Sequence, residues 1–98
     1  GKKTRSLTSL TVTSVAGSTS GSTKITVEPA LSSGNSYKYK IAANPTIPNA
    51  GQECKTGYTA WDGTAEITAT AGQKIVVVEG DADNRCFGAG MAVITAAE

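Results

Sequence analysis

From residue 66 to residue 97 the chain is a succession of short β-forming runs broken by turn formers, and this pattern limits the fold more than any other feature. Ile67-Thr68-Ala69-Thr70 is followed by Gly72, then by Lys74-Ile75-Val76-Val77-Val78-Glu79, the turn Gly80-Asp81-Ala82-Asp83-Asn84, and Met91-Ala92-Val93-Ile94-Thr95-Ala96. β-Branched residues in runs of four to eight, bounded by Gly, Asp and Asn, read as strands joined by tight turns. No window of the chain places apolar residues at helical spacing with caps at both ends.

The first half obeys the same rule. Leu10 and Val12 lie on one face of a strand within residues 7–15, with Thr11, Thr13 and Val15 on the other. A polar loop, Gly17-Ser18-Thr19-Ser20-Gly21-Ser22, leads to Lys24-Ile25-Thr26-Val27-Glu28, so a hairpin is expected. Pro29 ends that strand, and Ser32-Ser33-Gly34-Asn35 forms a turn before Tyr37-Lys38-Tyr39-Lys40-Ile41. Tyr37, Tyr39 and Ile41 share one face of it, Lys38 and Lys40 the other. Between residues 44 and 63 the periodicity vanishes, and this irregular stretch, the expected variable surface, holds Cys54, Tyr58 and the single tryptophan, Trp61.

Six or seven short strands with turns every 8–12 residues or so predict an all-β fold, an Ig-like antiparallel β-sandwich. The expected core comprises Leu10, Val12, Ile25, Val27, Tyr39, Ile41, Ile67, Ile75, Val77 and Val93. At 98 residues there is room for one domain. It is placed at residues 7–98, behind a flexible basic arm over residues 1–6. The longest apolar run, Ile75 to Val78, is far short of the roughly 20 residues that cross a bilayer, so no membrane is expected as a partner. The N-terminus does not lead into a secretory-type apolar stretch, and any such signal is expected to be removed or never to have existed.

Nine Lys and Arg against eight Asp and Glu give a net charge of +1, too little for the global positive field of a nucleic-acid binder. Three of the cations, Lys2, Lys3 and Arg5, stand in the first five positions. They are either a solvated terminal tail or an arm that docks onto an acidic partner.

Histidine is absent, which removes Ser-His-Asp, Cys-His and His-metal chemistry. The carboxylates Glu53, Asp62, Glu66, Glu79, Asp81 and Asp83 fall in turns or on presumed outer strand faces, a poor setting for a glycosidase-like acid pair, so no enzyme activity and no cofactor are expected. Asp81 and Asp83 begin like a calcium loop, but Arg85 stands where a further oxygen ligand is required. A hairpin turn with Asn84 or Gly80 at positive φ fits better. Trp61 and Tyr58 are either an aromatic platform for a sugar or part of the core.

Cys54 and Cys86 are the only cysteines, 32 positions apart, too few for a zinc site by themselves. Two free thiols and a disulfide both agree with the sequence. Pairing is the expectation, because both stand in loop-like contexts where an unpaired thiol invites oxidation.

The runs Leu10-Thr11-Val12-Thr13-Ser14-Val15-Ala16-Gly17, Ser33-Gly34-Asn35-Ser36-Tyr37-Lys38-Tyr39-Lys40, Gly57-Tyr58-Thr59-Ala60-Trp61-Asp62-Gly63 and residues 67–79 resemble the β-rich domains of head-fibre and capsid-decoration proteins of tailed bacteriophages. The similarity covers most of the chain from about Leu7, although Gly80-Asp81 and Arg85-Cys86-Phe87 depart from it. It implies a non-catalytic protein on the virion surface, bound to a major capsid protein and stabilising the shell or presenting a surface to a host glycan or protein. In that setting Lys2, Lys3 and Arg5 would contact the capsid, while Tyr58 and Trp61 face outward. The alternative is an Ig-like adhesion or carbohydrate-binding module of a bacterial cell-surface protein.

Overall fold

The computed structural model of the chain describes residues 7–28, 30–31 and 33–98. Strands β1 (Thr8–Ser9), β2 (Thr11–Ala16), β3 (Ser22–Glu28), β4 (Ser36–Ala42), β5 (Thr59–Trp61), β6 (Ile67–Thr68), β7 (Lys74–Gly80) and β8 (Cys86–Val93) form two sheets. One has the order β1-β8-β7-β4-β5 and the other β2-β3-β6. The sheets face each other as an all-β sandwich, and the chain crosses between them after β1, β3, β5 and β6, the Ig-like connectivity.

Two differences from the sequence reading concern the strands. There are eight rather than six or seven among the described residues, because the expected strand within residues 7–15 divides at Leu10 and the stretch read as irregular contributes β5. β1 pairs with β8 in parallel, Thr8 opposite Gly88, and only after Leu10 does the chain join the second sheet, so the sandwich is not wholly antiparallel. The crossing explains a glycine. A Cβ on Gly90 would lie 2.2 Å from the Leu10 carbonyl oxygen and 2.8 Å from Val12 Cγ2, so only a residue without a side chain lets the two backbones pass.

The predicted hairpin is β2–β3, in register from Thr11 opposite Glu28 to Ala16 opposite Thr23. Its loop is held by the Glu66 carboxylate, which accepts from the Ser18 amide at 2.8 Å and from the Ser22 hydroxyl at 3.1 Å. β4 and β7 pair over seven residues, Ser36 opposite Gly80 through Ala42 opposite Lys74. This places Tyr37, Tyr39 and Ile41 inward with Ile75 and Val77, and Lys38 and Lys40 outward beside Val78 and Val76.

Buried Ile25, Tyr37, Trp61, Ile67, Ile75, Val77 and Ile94 form the core between the sheets, with Val12, Val27, Tyr39 and Ile41 packed at its margin. Leu10 is also buried. Val93 is not: it is 59% exposed, and Ile94 occupies the inward position. The run Met91-Ala92-Val93-Ile94 has no polar alternation to set its phase. The crossing of Leu10 and Val12 over β8 sets it instead, demanding the small residues Gly90 and Ala92 on the inner face and turning Met91 and Val93 out.

Val77 has no exposed surface, so Val77→Asp buries an unpaired carboxylate at a cost of several kcal/mol in a domain whose stability is about 5–10 kcal/mol. Circular dichroism is expected to show an unfolded or barely folded variant; an unchanged melting temperature would mean that Val77 faces solvent. Gly90→Ala should cost about 1–3 kcal/mol through forced separation of β8 from Leu10, lowering Tm by about 4–8 °C for each kcal/mol. A variant that melts with the wild type would contradict the crossing.

Candidate functional site on the outer face of the five-stranded sheet

β7 is buried along nearly its whole length, and a strand covered on both faces needs two covers. The sandwich covers Ile75 and Val77. On the opposite face Val76 and Val78 pack with Cys54, Cys86 and Ala89 in a second cluster, against which Leu7 and Tyr58 lie. The irregular stretch expected to be the variable surface is thus, in part, a lid.

Backbone hydrogen bonds hold the lid to the end of β8. The Cys54 amide donates to the Asn84 carbonyl at 2.7 Å, the Cys86 amide to the Gln52 carbonyl at 2.9 Å and the Gly51 amide to the Cys86 carbonyl at 2.7 Å. Glu53 and Arg85 form an isolated antiparallel bridge between them. Arg85 also donates from Nη1 to the Gly51 carbonyl at 3.0 Å. At the rim Lys38 Nζ donates to Asn84 Oδ1 at 2.5 Å, and Lys40 Nζ stands 5.8 Å from the centre of the Tyr58 ring. A β-bulge aims Cys86 into this cluster: Glu79 opposes Gly88 while Gly80 opposes Cys86, leaving Phe87 as the extra residue. The inserted residue switches the alternation, so Cys86 and Ala89 share the outer face.

Both cysteines are buried and both thiols are free in the structure. Burial pushes the Cys86 thiol up to about 12, opposed only in part by backbone hydrogen bonding from Gly88. The protonated thiol itself donates to the Gly88 carbonyl at 3.0 Å. Burial, with Cys54 beside it, also raises the Tyr58 phenol to about 12. The Cys86 thiol is therefore protonated at neutral pH and a poor nucleophile.

Tyr58 and Trp61 are not brought together in one platform. Tyr58 belongs to the outer cluster, while Trp61 lies in the inner core with its ring 5.6 Å from that of Tyr37. The indole Nε1 donates to the Ala65 carbonyl at 2.8 Å. Beside it lies an open hollow of about 480 Å³, lined by Ser36, Tyr37, Lys38, Ala60, Trp61, Asp62 and Ala65, in which the nearly buried indole offers little ring face. Lys2, Lys3 and Arg5, the expected docking arm, lie outside the described residues.

Several of the carboxylates brace turns. Asp62 Oδ1 accepts from the amides of Ala65 and Thr64, each at 2.8 Å, and these bonds hold its carboxyl below the usual range. Asp81 Oδ1 accepts from the Asp83 and Arg85 amides at 2.9 and 3.0 Å. Asn84 in that turn takes φ +63°, as the sequence suggested. Glu79 accepts from Asn35 Nδ2 at 2.7 Å. Hydrogen bonds from the Ser18 amide, then from the Ser18 hydroxyl, lower Glu66.

The family model described as S-layer protein SbsC C-terminal domain matches residues 15–95. Two solved structures match almost the whole chain. Domains 4–9 of surface layer protein SbsC share 29% identity over 91% of it, with a TM-score of 0.68; domains 7, 8 and 9 of the same protein share 27% over 92%, with a TM-score of 0.71. The chain spans 14% and 27% of those two chains. No curated protein sequence matches it.

These likenesses overturn the resemblance to phage head proteins, and with it the major capsid protein as partner and the virion as location. The runs that carried the resemblance are β2, β4, β5 and the β6–β7 pair with their turns. Gly57, Gly63 and Gly72 sit at φ +84°, +88° and +92°. Such strand and turn requirements belong to any sandwich of this connectivity, so the runs report the fold and not the family.

Glu66 and Asp62 are lowered on folding, so the stability they supply is present above their unfolded values of 4.5 and 3.8 and is lost as pH falls through the lower folded values. Thermal unfolding should show Tm decreasing below about pH 4.5, with a shallower decrease in Glu66→Gln. Identical acid limbs for the two proteins would show that Glu66 does not brace the β2–β3 loop.

Proposed function

The chain belongs to the family of the SbsC C-terminal domain, and from that premise we propose that it is one β-sandwich domain of a bacterial S-layer protein, a non-catalytic structural component of the cell surface. The family match over residues 15–95 carries the reading. The chain's own chemistry agrees with it: there is no histidine, Cys86 is buried with its thiol protonated, and Asp62, Glu66 and Asp81 accept hydrogen bonds from backbone amides that fix turns. What the sequence supplies in quantity is short strands and polar turns, which make a rigid unit with Ser and Thr on its outside. A structural domain needs no more. The sequence raised an Ig-like adhesion or carbohydrate-binding module as its cell-surface alternative; carbohydrate binding is disfavoured because Trp61 packs inside the core and is not displayed beside Tyr58.

In this reading the partners are other S-layer domains and neighbouring copies in a surface array. The test is immunoelectron microscopy of intact cells and of isolated envelope fragments with an antibody raised against the chain. The label is expected on a periodic array at the outer surface. Label confined to the cell interior would overturn the assignment.

A further inference from the structure

The strongest chemistry outside the inner core is the pair of cysteines under the lid, and we propose that Cys54 and Cys86 form an intrachain disulfide during folding, a covalent staple that fastens the lid to the bulged end of β8. The Glu53–Arg85 bridge sets Cys54 opposite Asn84 and Cys86 opposite Gln52, so the two cysteines occupy diagonal positions on one face of a two-stranded ladder. Their exposures are 1% and 0%, and they share one apolar cluster with Val76, Val78 and Ala89. No other cysteine is available to compete.

The oxidant is a small-molecule disulfide of the glutathione class. The Cys54 thiolate attacks one sulfur of oxidised glutathione, forming a mixed disulfide and releasing one glutathione thiolate. The Cys86 thiolate then attacks the Cys54 sulfur, closing the protein bond and releasing the second glutathione. The protein loses two protons and two electrons, which together convert one glutathione disulfide into two glutathione molecules. Burial and the raised Cys86 value place this exchange before the lid closes, when thiolates are still accessible. The staple is independent of whether the domain sits in an S-layer.

The test is refolding the whole chain from denaturant with oxidised and reduced glutathione, and in parallel with reductant alone, followed by alkylation in denaturant and mass spectrometry. The expected product of the first arm is a monomer about 2 Da lighter with no alkylated cysteine, whose Tm exceeds that of the reduced protein by about 10 °C or more, as closing a loop of this length implies. Cys54→Ser should lose the difference between the two arms, while remaining folded by circular dichroism. Should that variant fail to fold, the masses and melting temperatures of the wild-type arms decide alone. Two alkylated thiols after refolding with the glutathione pair, a stable glutathione adduct, or a disulfide-linked dimer as the main product would each overturn the proposal.

Discussion

The structure depends on one strand being removed from water on both sides. The run Ile75-Val76-Val77-Val78 is fully buried, and each apolar side chain so placed contributes roughly 1.5–3 kcal/mol relative to an exposed one. Alternation sends Ile75 and Val77 one way and Val76 and Val78 the other, so a single sandwich interface would leave half of this run in solvent. The second cluster under residues 49–58 resolves that conflict. In an Ig-like sandwich the outer face of a sheet is ordinarily polar; here the middle of it is dry.

This requirement orders the rest. The bulge at Phe87 turns Cys86 toward Val78, the Glu53–Arg85 bridge brings Cys54 over it, and Lys38 and Lys40 bind the rim through Asn84 and Tyr58. On the other side, the Leu10 crossing closes the sandwich over Gly90. Both solutions use backbone contacts at close range, so they depend on particular small or polar residues at a few positions and leave Ser and Thr free to cover the surface. That economy suits the structural role proposed above, in which rigidity matters.

Much of this was legible in the sequence, and the failures are instructive. β3, β4 and β7 follow from period-2 patterning and flanking turn residues, and the face assignments of Tyr37, Tyr39, Ile41, Ile75 and Val77 hold. The phase of β8 was not legible at Val93, because four consecutive apolar residues carry no alternation and the deciding contact comes from Leu10, some eighty positions earlier. β1 and β5 were missed because strands of two and three residues have no period of their own. Their positions follow from pairing with β8 and β4. The lid was missed for a related reason: residues 49–58 show no pattern, and the one available signal was that Val76 and Val78 lacked the polar partners an exposed face requires. The candidate residues fared according to burial. Trp61, read from the sequence as either a sugar platform or part of the core, sits on β5 in the core beside Tyr37. The phage resemblance rested on residues that any such sandwich needs.

The central claim is that the outer lid is part of the cooperative fold and not a surface loop. Native-state amide hydrogen exchange measures this directly, since a segment that opens locally loses protection before the core does. The account predicts that the amides of Cys54 and Cys86, which donate to Asn84 and Gln52, exchange with an opening free energy close to that of the β7 amides. Exchange of the Cys54 amide at the rate of an exposed turn, while β7 stays protected, would contradict it.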